Sequence, residues 1–161
     1  VETLQHQNQS AFGLDLNKNW LKYAKRRTPQ LNLVCGDAAH LPFKDHSFSV
    51  ILFSLALHEQ DAGLRSNLLY HLPRLLTSGG QIGIIDFEEP RSFKSKLGFL
   101  FVSVFELFAG WTHFRNGRLF VRQNGVTGLA ETHGWEPVRK HFSETASTST
   151  LLARLSVRNE T

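Results

Sequence analysis

The sequence predicts an α/β fold, in which a mostly parallel sheet is covered by helices and ends in an antiparallel hairpin. Short apolar runs alternate with helix-like segments from Ala11 to Leu76, a pattern typical of parallel sheets with helices on both faces. The run Ser49–Ser54 is apolar on both faces, as expected of a central parallel strand. The last two runs, Trp135–Ser143 and Ser149–Val157, are joined by a short polar link and must therefore be antiparallel.

Apolar spacing and turn residues set the boundaries of the remaining elements. Asn17 is suited to cap the first helix, and Thr28-Pro29 is suited to end it. Ser78-Gly79-Gly80 predicts a tight stop after the second helix. The elements predicted before the final hairpin are strand Ala11–Leu16, helix Lys18–Arg27, strand Leu31–Cys35, strand Ser49–Ser54, helix Ala62–Leu76, strand Gln81–Phe87 and helix Asn124–His133.

The composition is that of an ordinary globular domain. The chain has 161 residues, enough for one domain with a sizeable core, and 41% of them are hydrophobic. The net charge of +4 is a mild basic excess, so we expect no nucleic-acid partner. The single cysteine, Cys35, excludes an internal disulfide and indicates a reducing compartment. Its place at the end of an apolar run favours a buried, inert thiol.

Two acidic residues close successive predicted strands. Asp15 ends the run Phe12–Leu14, and Asp37 follows the run that ends at Cys35. Open α/β sheets bind nucleotides at the carboxyl ends of their strands. One carboxylate at that edge can accept hydrogen bonds from ribose hydroxyls and the other from an adenine amino group. The pair therefore favours a nucleoside site, although two ordinary turn or N-cap acids would give the same pattern.

Residues 36–43, Gly-Asp-Ala-Ala-His-Leu-Pro-Phe, and the later Leu57-His58-Glu59 resemble the class I S-adenosylmethionine-dependent methyltransferases. The similarity is greatest to the ubiquinone and menaquinone C-methyltransferases, and it runs from about Phe12 to Val157. The resemblance implies a Rossmann-like sheet and S-adenosylmethionine as the cofactor. It also implies that Asp15 holds the ribose and Asp37 the adenine. The cofactor-binding residues that we predict are Asp15, Leu16, Asp37, Ala38, Phe53 and Ser54.

The glycine-rich loop of that family does not appear in the chain. In the family this loop follows the first strand and precedes the ribose-binding acid by roughly twenty residues. Only fourteen residues precede Asp15, and Val1–Ser10 contains no glycine and no strand-like run. We therefore expect residues 1–161 to form a single, N-terminally truncated methyltransferase domain that lacks the first strand. The alternative is a divergent protein that never had the loop.

His58-Glu59 follows the strand that ends at Ser54. The chain has Ala62 where a zinc motif would need a second histidine, so we expect no metal site. His58 is the one candidate for a catalytic residue, because an imidazole can act as a general base near neutral pH. A histidine at the entry to a helix is the structural alternative, and it is favoured.

Residues 91–123 are predicted to form an acceptor-binding or lid insertion. Within them, Leu97–Trp111 is strongly apolar and rich in aromatic residues, yet it is too short and carries Glu106, which disfavours a transmembrane helix. A lid over a hydrophobic acceptor and a helix resting on a membrane both fit this composition. The alternative is a helix that packs in or over the hydrophobic core. The nearby cations would suit lipid headgroups; they are Arg91, Lys94, Lys96 and Arg115.

The sequence therefore predicts methyl transfer from S-adenosylmethionine to a small, hydrophobic acceptor. We expect a cytoplasmic protein with peripheral membrane contact. A non-catalytic, methyltransferase-like binding or scaffold protein is the alternative, since the glycine-rich loop is missing. A nucleotide-dependent dehydrogenase is disfavoured, because it would require a parallel final strand.

Overall fold

The computed structural model describes residues 10–143 and 147–155. The chain divides into two compact units, Val1–Phe43 and Lys44–Thr161. The mixed α/β architecture agrees with the fold class that the sequence predicts.

The first unit contains a two-stranded parallel sheet and one helix. Strand β1 spans Phe12–Asp15, helix α1 spans Lys18–Arg27 and strand β2 spans Asn32–Cys35. β1 and β2 pair in parallel with Asp15 opposite Cys35. A 3₁₀ turn, Ala38–His40, follows β2. Since parallel strands end at the same edge, the residues after Asp15 and after Cys35 leave the sheet on one side.

The second unit contains a four-stranded sheet in the order β3-β4-β6-β5. β3 pairs with β4 in parallel, whereas β6 is antiparallel to both β4 and β5. The predicted antiparallel hairpin is therefore confirmed, while the predicted end of its second strand, at residues 156–157, lies outside the described residues. The elements are β3 Phe48–Ser54, α2 Ala62–His71, β4 Leu76–Phe87, α3 Phe93–Ala109, α4 Trp111–Arg122, α5 Gly125–Thr132, β5 Trp135–Ser143 and β6 Thr148–Leu155.

The helix predicted over Ala62–Leu76 is too long. α2 ends at His71, a 3₁₀ turn covers Pro73–Leu75, and Leu76 already pairs with Phe48 as the first residue of β4. Pro73 has no N–H to donate within a helix, so it favours a break at this point. The predicted stop at Gly79 is absorbed into the strand, where this glycine adopts a left-handed φ of 73°.

Strand β3 is more exposed than a central parallel strand should be. The apolar residues on both faces of this strand predicted that both faces would be covered. Val50 and Leu52 are instead 49% and 56% exposed. β3 is the outer strand of its sheet, and no strand of the described residues pairs with its far edge.

The core of the second unit lies between its sheet and its helices. Every member is less than about a tenth exposed, and burial of each such side chain stabilises the fold by roughly 1.5–3 kcal/mol. The largest fully buried apolar side chains are Leu57, Leu69, Leu72, Leu75, Ile82, Ile84, Phe120, Val126 and Leu151. Helices α2, α4 and α5 and strands β4 and β6 supply most of them, which fixes the carboxyl ends of β3 and β4 relative to the helices.

Candidate functional site

Asp15 lies at the carboxyl end of β1 with one carboxylate oxygen engaged. Its Oδ1 accepts a hydrogen bond from the Asn17 N–H at 2.7 Å. Asn17 in turn caps α1, since its side chain accepts from the N–H groups of Asn19 and Trp20. The other oxygen, Oδ2, has no hydrogen-bond partner among the described residues. Asp15 is therefore oriented by the turn and retains one free acceptor at the strand edge.

Asp37 is held in a similar way after β2. Its Oδ1 accepts from the Ala39 N–H at 2.8 Å as the N-cap of the 3₁₀ turn. Its Oδ2 lies 3.6 Å from Nδ1 of the exposed His40. Half of the Asp37 side chain is exposed, and Ala38 beside it is half-buried. The predicted adenine-binding residue thus presents a second carboxylate oxygen outward.

The parallel pairing brings these two acids to the same edge of the first unit. Gly36, which precedes Asp37, donates its N–H to the Asp15 carbonyl at 3.2 Å. Leu16 next to Asp15 is 69% exposed. Two outward carboxylate oxygens beside an exposed leucine fit a ribose and an adenine, which supply hydroxyl and amino donors and an apolar ring. The same geometry serves as turn and cap structure, so the donors and acceptors fit a nucleoside without requiring one.

Phe53 and Ser54 lie at the carboxyl end of β3 in the second unit. They pair with Ile84 and Ile85 of β4. Phe53 is half-buried and Ser54 is exposed. Leu55, the next residue, adopts a φ of 51°, and its N–H donates to Ile85 O at 2.7 Å. This left-handed residue turns the chain sharply out of the strand.

The loop after β3 carries His58 into a buried contact with Asp86. Asp86 is fully buried at the end of β4, and its Oδ1 lies 2.5 Å from His58 Nδ1. The same carboxylate accepts backbone hydrogen bonds from Leu57 and His58 through Oδ2 and from Phe87 through Oδ1. Asp86 therefore fixes both the backbone of the loop and the orientation of the imidazole.

The other ring nitrogen of His58 faces helix α3. His58 Nε2 lies 3.8 Å from Glu106 Oε1, and the Glu106 side chain is 22% exposed. Burial alone lowers the pKa of His58, but the hydrogen bond and charge of Asp86, with Glu106 and Glu59, raise it above its ordinary value. The imidazole is thus held between two carboxylates, which favour its protonated form.

A small cavity adjoins this cluster. Its volume is about 10 Å³, room for about one water molecule. Glu106 and Gly117 line it together with the aromatic rings of Phe87, Phe99 and Phe114. A Cβ atom at Gly117 would lie 3.7 Å from the His58 ring, an ordinary van der Waals distance, so α4 packs beside the imidazole.

Two further side chains tie the loop 55–60 to the helices. Arg65 of α2 is buried and donates to the carbonyl oxygens of Leu57 and Gln60 at 3.0 and 3.2 Å. Asn116 of α4 donates to Glu59 O at 2.8 Å. These contacts make the loop rigid and favour a positioning role for His58 over a solvent-accessible base.

Sequence reasoning did not identify Asp86 and Glu106 as partners of His58. Asp86 falls within the predicted strand Gln81–Phe87 with no sign of a side-chain partner, and Glu106 was noted only as a charge within an apolar segment. Cys35 also differs from expectation, because its thiol is exposed and lies 3.7 Å from the Leu16 carbonyl oxygen.

Among residues 10–143 and 147–155, no group of three or more metal-ligating side chains is assembled. Within the same residues, none of the helices combines the length and the apolar character needed to span a bilayer.

The sequence model of a family described as a methyltransferase domain matches residues 1–84. A curated relative from Synechocystis, an uncharacterized methyltransferase, is 28% identical over 147 residues, which are 90% of this chain and 65% of that protein. The demethylmenaquinone methyltransferase of Bacillus licheniformis is 27% identical over 145 residues, covering 80% of this chain and 61% of that protein. The demethylmenaquinone methyltransferase of Staphylococcus haemolyticus is 36% identical over 97 residues, which are 56% of this chain and 40% of that protein. The chain therefore spans less than two thirds of the length of these relatives.

Solved structures with the same fold include S-adenosylmethionine-dependent methyltransferases. One from Archaeoglobus fulgidus has a TM-score of 0.67 at 16% identity, covering 94% of this chain and 79% of that one. The 1,6-didemethyltoxoflavin-N1-methyltransferase of Burkholderia thailandensis, solved with S-adenosylhomocysteine, has a TM-score of 0.60 at 15% identity, covering 96% and 65%. The predicted class I methyltransferase fold is confirmed, and the family match over residues 1–84 shows that the chain belongs to the methyltransferase-domain family.

Proposed function

We propose that the protein transfers a methyl group from S-adenosylmethionine to a small, apolar acceptor. Family membership supports methyl transfer most strongly, since the match covers the residues on which a nucleoside site was predicted. The geometry of Asp15 and Asp37 is compatible, because each presents a carboxylate oxygen at the same sheet edge.

Each predicted site residue has a role in this proposal. Asp15 accepts hydrogen bonds from the ribose hydroxyls, beside the apolar surface of Leu16. Asp37 accepts from the adenine amino group, and the Ala38 N–H donates to the ring. Phe53 and Ser54 line the methyl-transfer region. When bound, S-adenosylmethionine supplies an electrophilic methyl group, so these residues act by positioning the reactants and excluding water.

His58 acts as a positioning residue in this proposal. Its Nδ1 is engaged by Asp86 and its Nε2 faces Glu106, so a carboxylate lies near each ring nitrogen that could exchange a proton. The hydrogen bonds from Leu57 and His58 to Asp86 fix the loop that begins after Ser54. A strong base is not required, since effective molarity gained by orientation supplies much of the rate enhancement in such reactions.

The acceptor is proposed to be apolar and aromatic. The curated relatives named above include demethylmenaquinone methyltransferases, and residues 91–123, the predicted insertion, carry large exposed apolar side chains such as Phe93 and Phe108. In this proposal α3 and α4 form the lid or acceptor-binding part, and the protein works in the cytoplasm in peripheral contact with a membrane.

Transfer of a labelled methyl group tests the proposal. The full-length protein is incubated with methyl-labelled S-adenosylmethionine and a reduced 1,4-naphthoquinone as probe, and label is counted in the organic phase. We expect transfer with the wild type and a large loss with Asp37→Ala. Cofactor binding without transfer to the probe would contradict the apolar acceptor. Absence of both binding and transfer in folded protein would favour the non-catalytic alternative.

A further inference from the structure

Helix α3 carries an exposed apolar face along its whole length. Phe93 and Phe108, near its two ends, are 82% and 86% exposed. The members of this apolar stripe are Phe93, Leu97, Leu100, Val104, Leu107, Phe108 and, just after the helix, Trp111. Contiguous exposed apolar surface of this extent usually marks a contact site.

The stripe is distinct from the face that packs against the protein. At 3.6 residues per turn its members within α3 cover an arc of roughly 100°. Ser95, Phe99 and Ser103 occupy the opposite side and are buried. Exposed Lys94 and Lys96 fall at the two borders of the stripe. A helix with an apolar face and lysines at its borders is suited to lie in a membrane interface.

A basic groove adjoins the stripe on the Lys96 side. Its volume is about 250 Å³, and Lys96, Arg118 and Arg122 line it over a floor of Phe99 and Val121. Glu89 and Pro90 complete the lining. None of the three cations makes a hydrogen bond or ion pair with a described residue. Arg118 instead lies over the Phe99 ring at 5.3 Å from its centroid.

Lys96 connects the two features, because Leu100 of the stripe follows it by one helical turn. We propose that the apolar stripe and the basic groove together bind an anionic phospholipid surface. The groove receives a headgroup phosphate, and the stripe enters the acyl boundary. This extends the proposed function by naming the surface through which an apolar acceptor is reached.

The charges favour a lipid surface over a second copy of the chain. Residues 91–122 carry exposed Arg91, Lys94, Lys96, Arg115, Arg118 and Arg122. In a two-fold dimer through the stripe, the cationic borders of both copies would be brought close together and would repel. An anionic leaflet instead attracts each cation near its surface.

Vesicle flotation of the full-length protein tests the proposal. The vesicles are phosphatidylcholine alone or phosphatidylcholine with about 30% phosphatidylglycerol. The groove variant Lys96→Gln/Arg122→Gln is compared with Lys22→Gln/Arg26→Gln, which removes the same charge from exposed positions of α1. The stripe variant Leu97→Ser/Leu107→Ser is compared with Leu64→Ser/Val138→Ser, which alters equally exposed apolar positions elsewhere. Thermal melts identify variants that fail to fold.

We expect the wild type to bind the anionic vesicles and not the neutral ones. Each groove cation should contribute about fivefold, so the groove variant should bind about 25-fold more weakly. The charge control, Lys22→Gln/Arg26→Gln, should lose less than about twofold in affinity for the anionic vesicles. Equal loss in both charge variants, no binding by folded wild type, or a dimer that the stripe variant dissociates would overturn the proposal. Cofactor titration of the same samples tests the proposed function separately, because vesicle binding does not require S-adenosylmethionine.

Discussion

At the scale of single residues, the Asp86 carboxylate determines the state of His58. It accepts three backbone hydrogen bonds and contacts the imidazole while remaining fully buried. Asp86→Asn removes the charge that balances a protonated His58. Removing one partner of a buried pair costs about 3–5 kcal/mol, so we expect the free energy of unfolding to fall by about that amount. Urea denaturation measures it. A loss below about 1 kcal/mol would show that the pair is not formed.

The raised pKa of His58 also predicts how stability depends on pH. The folded state holds the proton more tightly than the unfolded state, whose pKa is 6.5. The pair therefore stabilises the fold fully below about pH 6.5, and this contribution is lost as pH rises through the raised pKa. Burial lowers the pKa of His133, which acts in the opposite direction but equally in wild type and Asp86→Asn.

Denaturation of both proteins at several pH values isolates the His58 contribution. We expect the stability difference between wild type and Asp86→Asn to shrink as pH rises from about 6 to 8. A difference that is constant with pH would contradict a raised pKa. The chemical shifts of the His58 ring protons provide an independent titration of the same group.

Sequence reasoning reached some of these residues and not others, for a physical reason. The positions of Asp15 and Asp37 at the ends of adjacent strands were predictable, because they follow from a local pattern, whereas their roles in cofactor binding remain predictions. His58, in the loop after β3, contacts Asp86 of β4, which follows it by 28 residues. It also faces Glu106 of α3, which follows it by 48 residues. Only packing of the second unit brings these groups together, and no local spacing encodes it.

At the scale of elements, Gly125 at the start of α5 is a position where only glycine fits. Its φ is 53°, and an added Cβ atom would collide with the Phe87 carbonyl oxygen. Gly79 in β4 has a similar φ of 73° but open space around it. Gly79→Ala therefore tests backbone strain alone, and Gly125→Ala tests strain and collision together.

We expect Gly79→Ala to cost about 1 kcal/mol and Gly125→Ala at least about 2 kcal/mol more. Thermal or urea denaturation of the two variants gives both values. Equal losses would show that α5 shifts away from β4 without penalty, and the close packing described for this helix start would be wrong.

Helix α1 and the final hairpin were predicted closely, whereas the start of β4 was not. α1 runs from Lys18 to Arg27 with Asn17 as its cap, as local signals indicated. β4 begins at Leu76 because that residue pairs with Phe48. This distant pairing overrides the turn signal of Ser78-Gly79-Gly80, since a glycine can adopt the φ that the strand irregularity requires.

At the scale of the whole molecule, the sheet topology agrees with the family and the division into two units was not foreseen. The described strands form two sheets, β1-β2 and β3-β4-β6-β5. The predicted truncation and the insertion at residues 91–123 remain predictions. The cofactor-binding roles of four further residues also remain predictions: Leu16, Ala38, Phe53 and Ser54.

We propose that Asp37 and Asp15 hold a nucleoside cofactor in addition to ordering their turns. Asp61 provides a matched control, because its Oδ1 caps α2 by accepting from Gly63 and Leu64. The most direct measurement is calorimetric titration of the full-length protein with S-adenosylmethionine. We predict that Asp37→Ala weakens binding by about 1–3 kcal/mol and Asp15→Ala by a similar amount, while Asp61→Ala leaves affinity unchanged. Unchanged affinity in Asp37→Ala and Asp15→Ala would contradict the account.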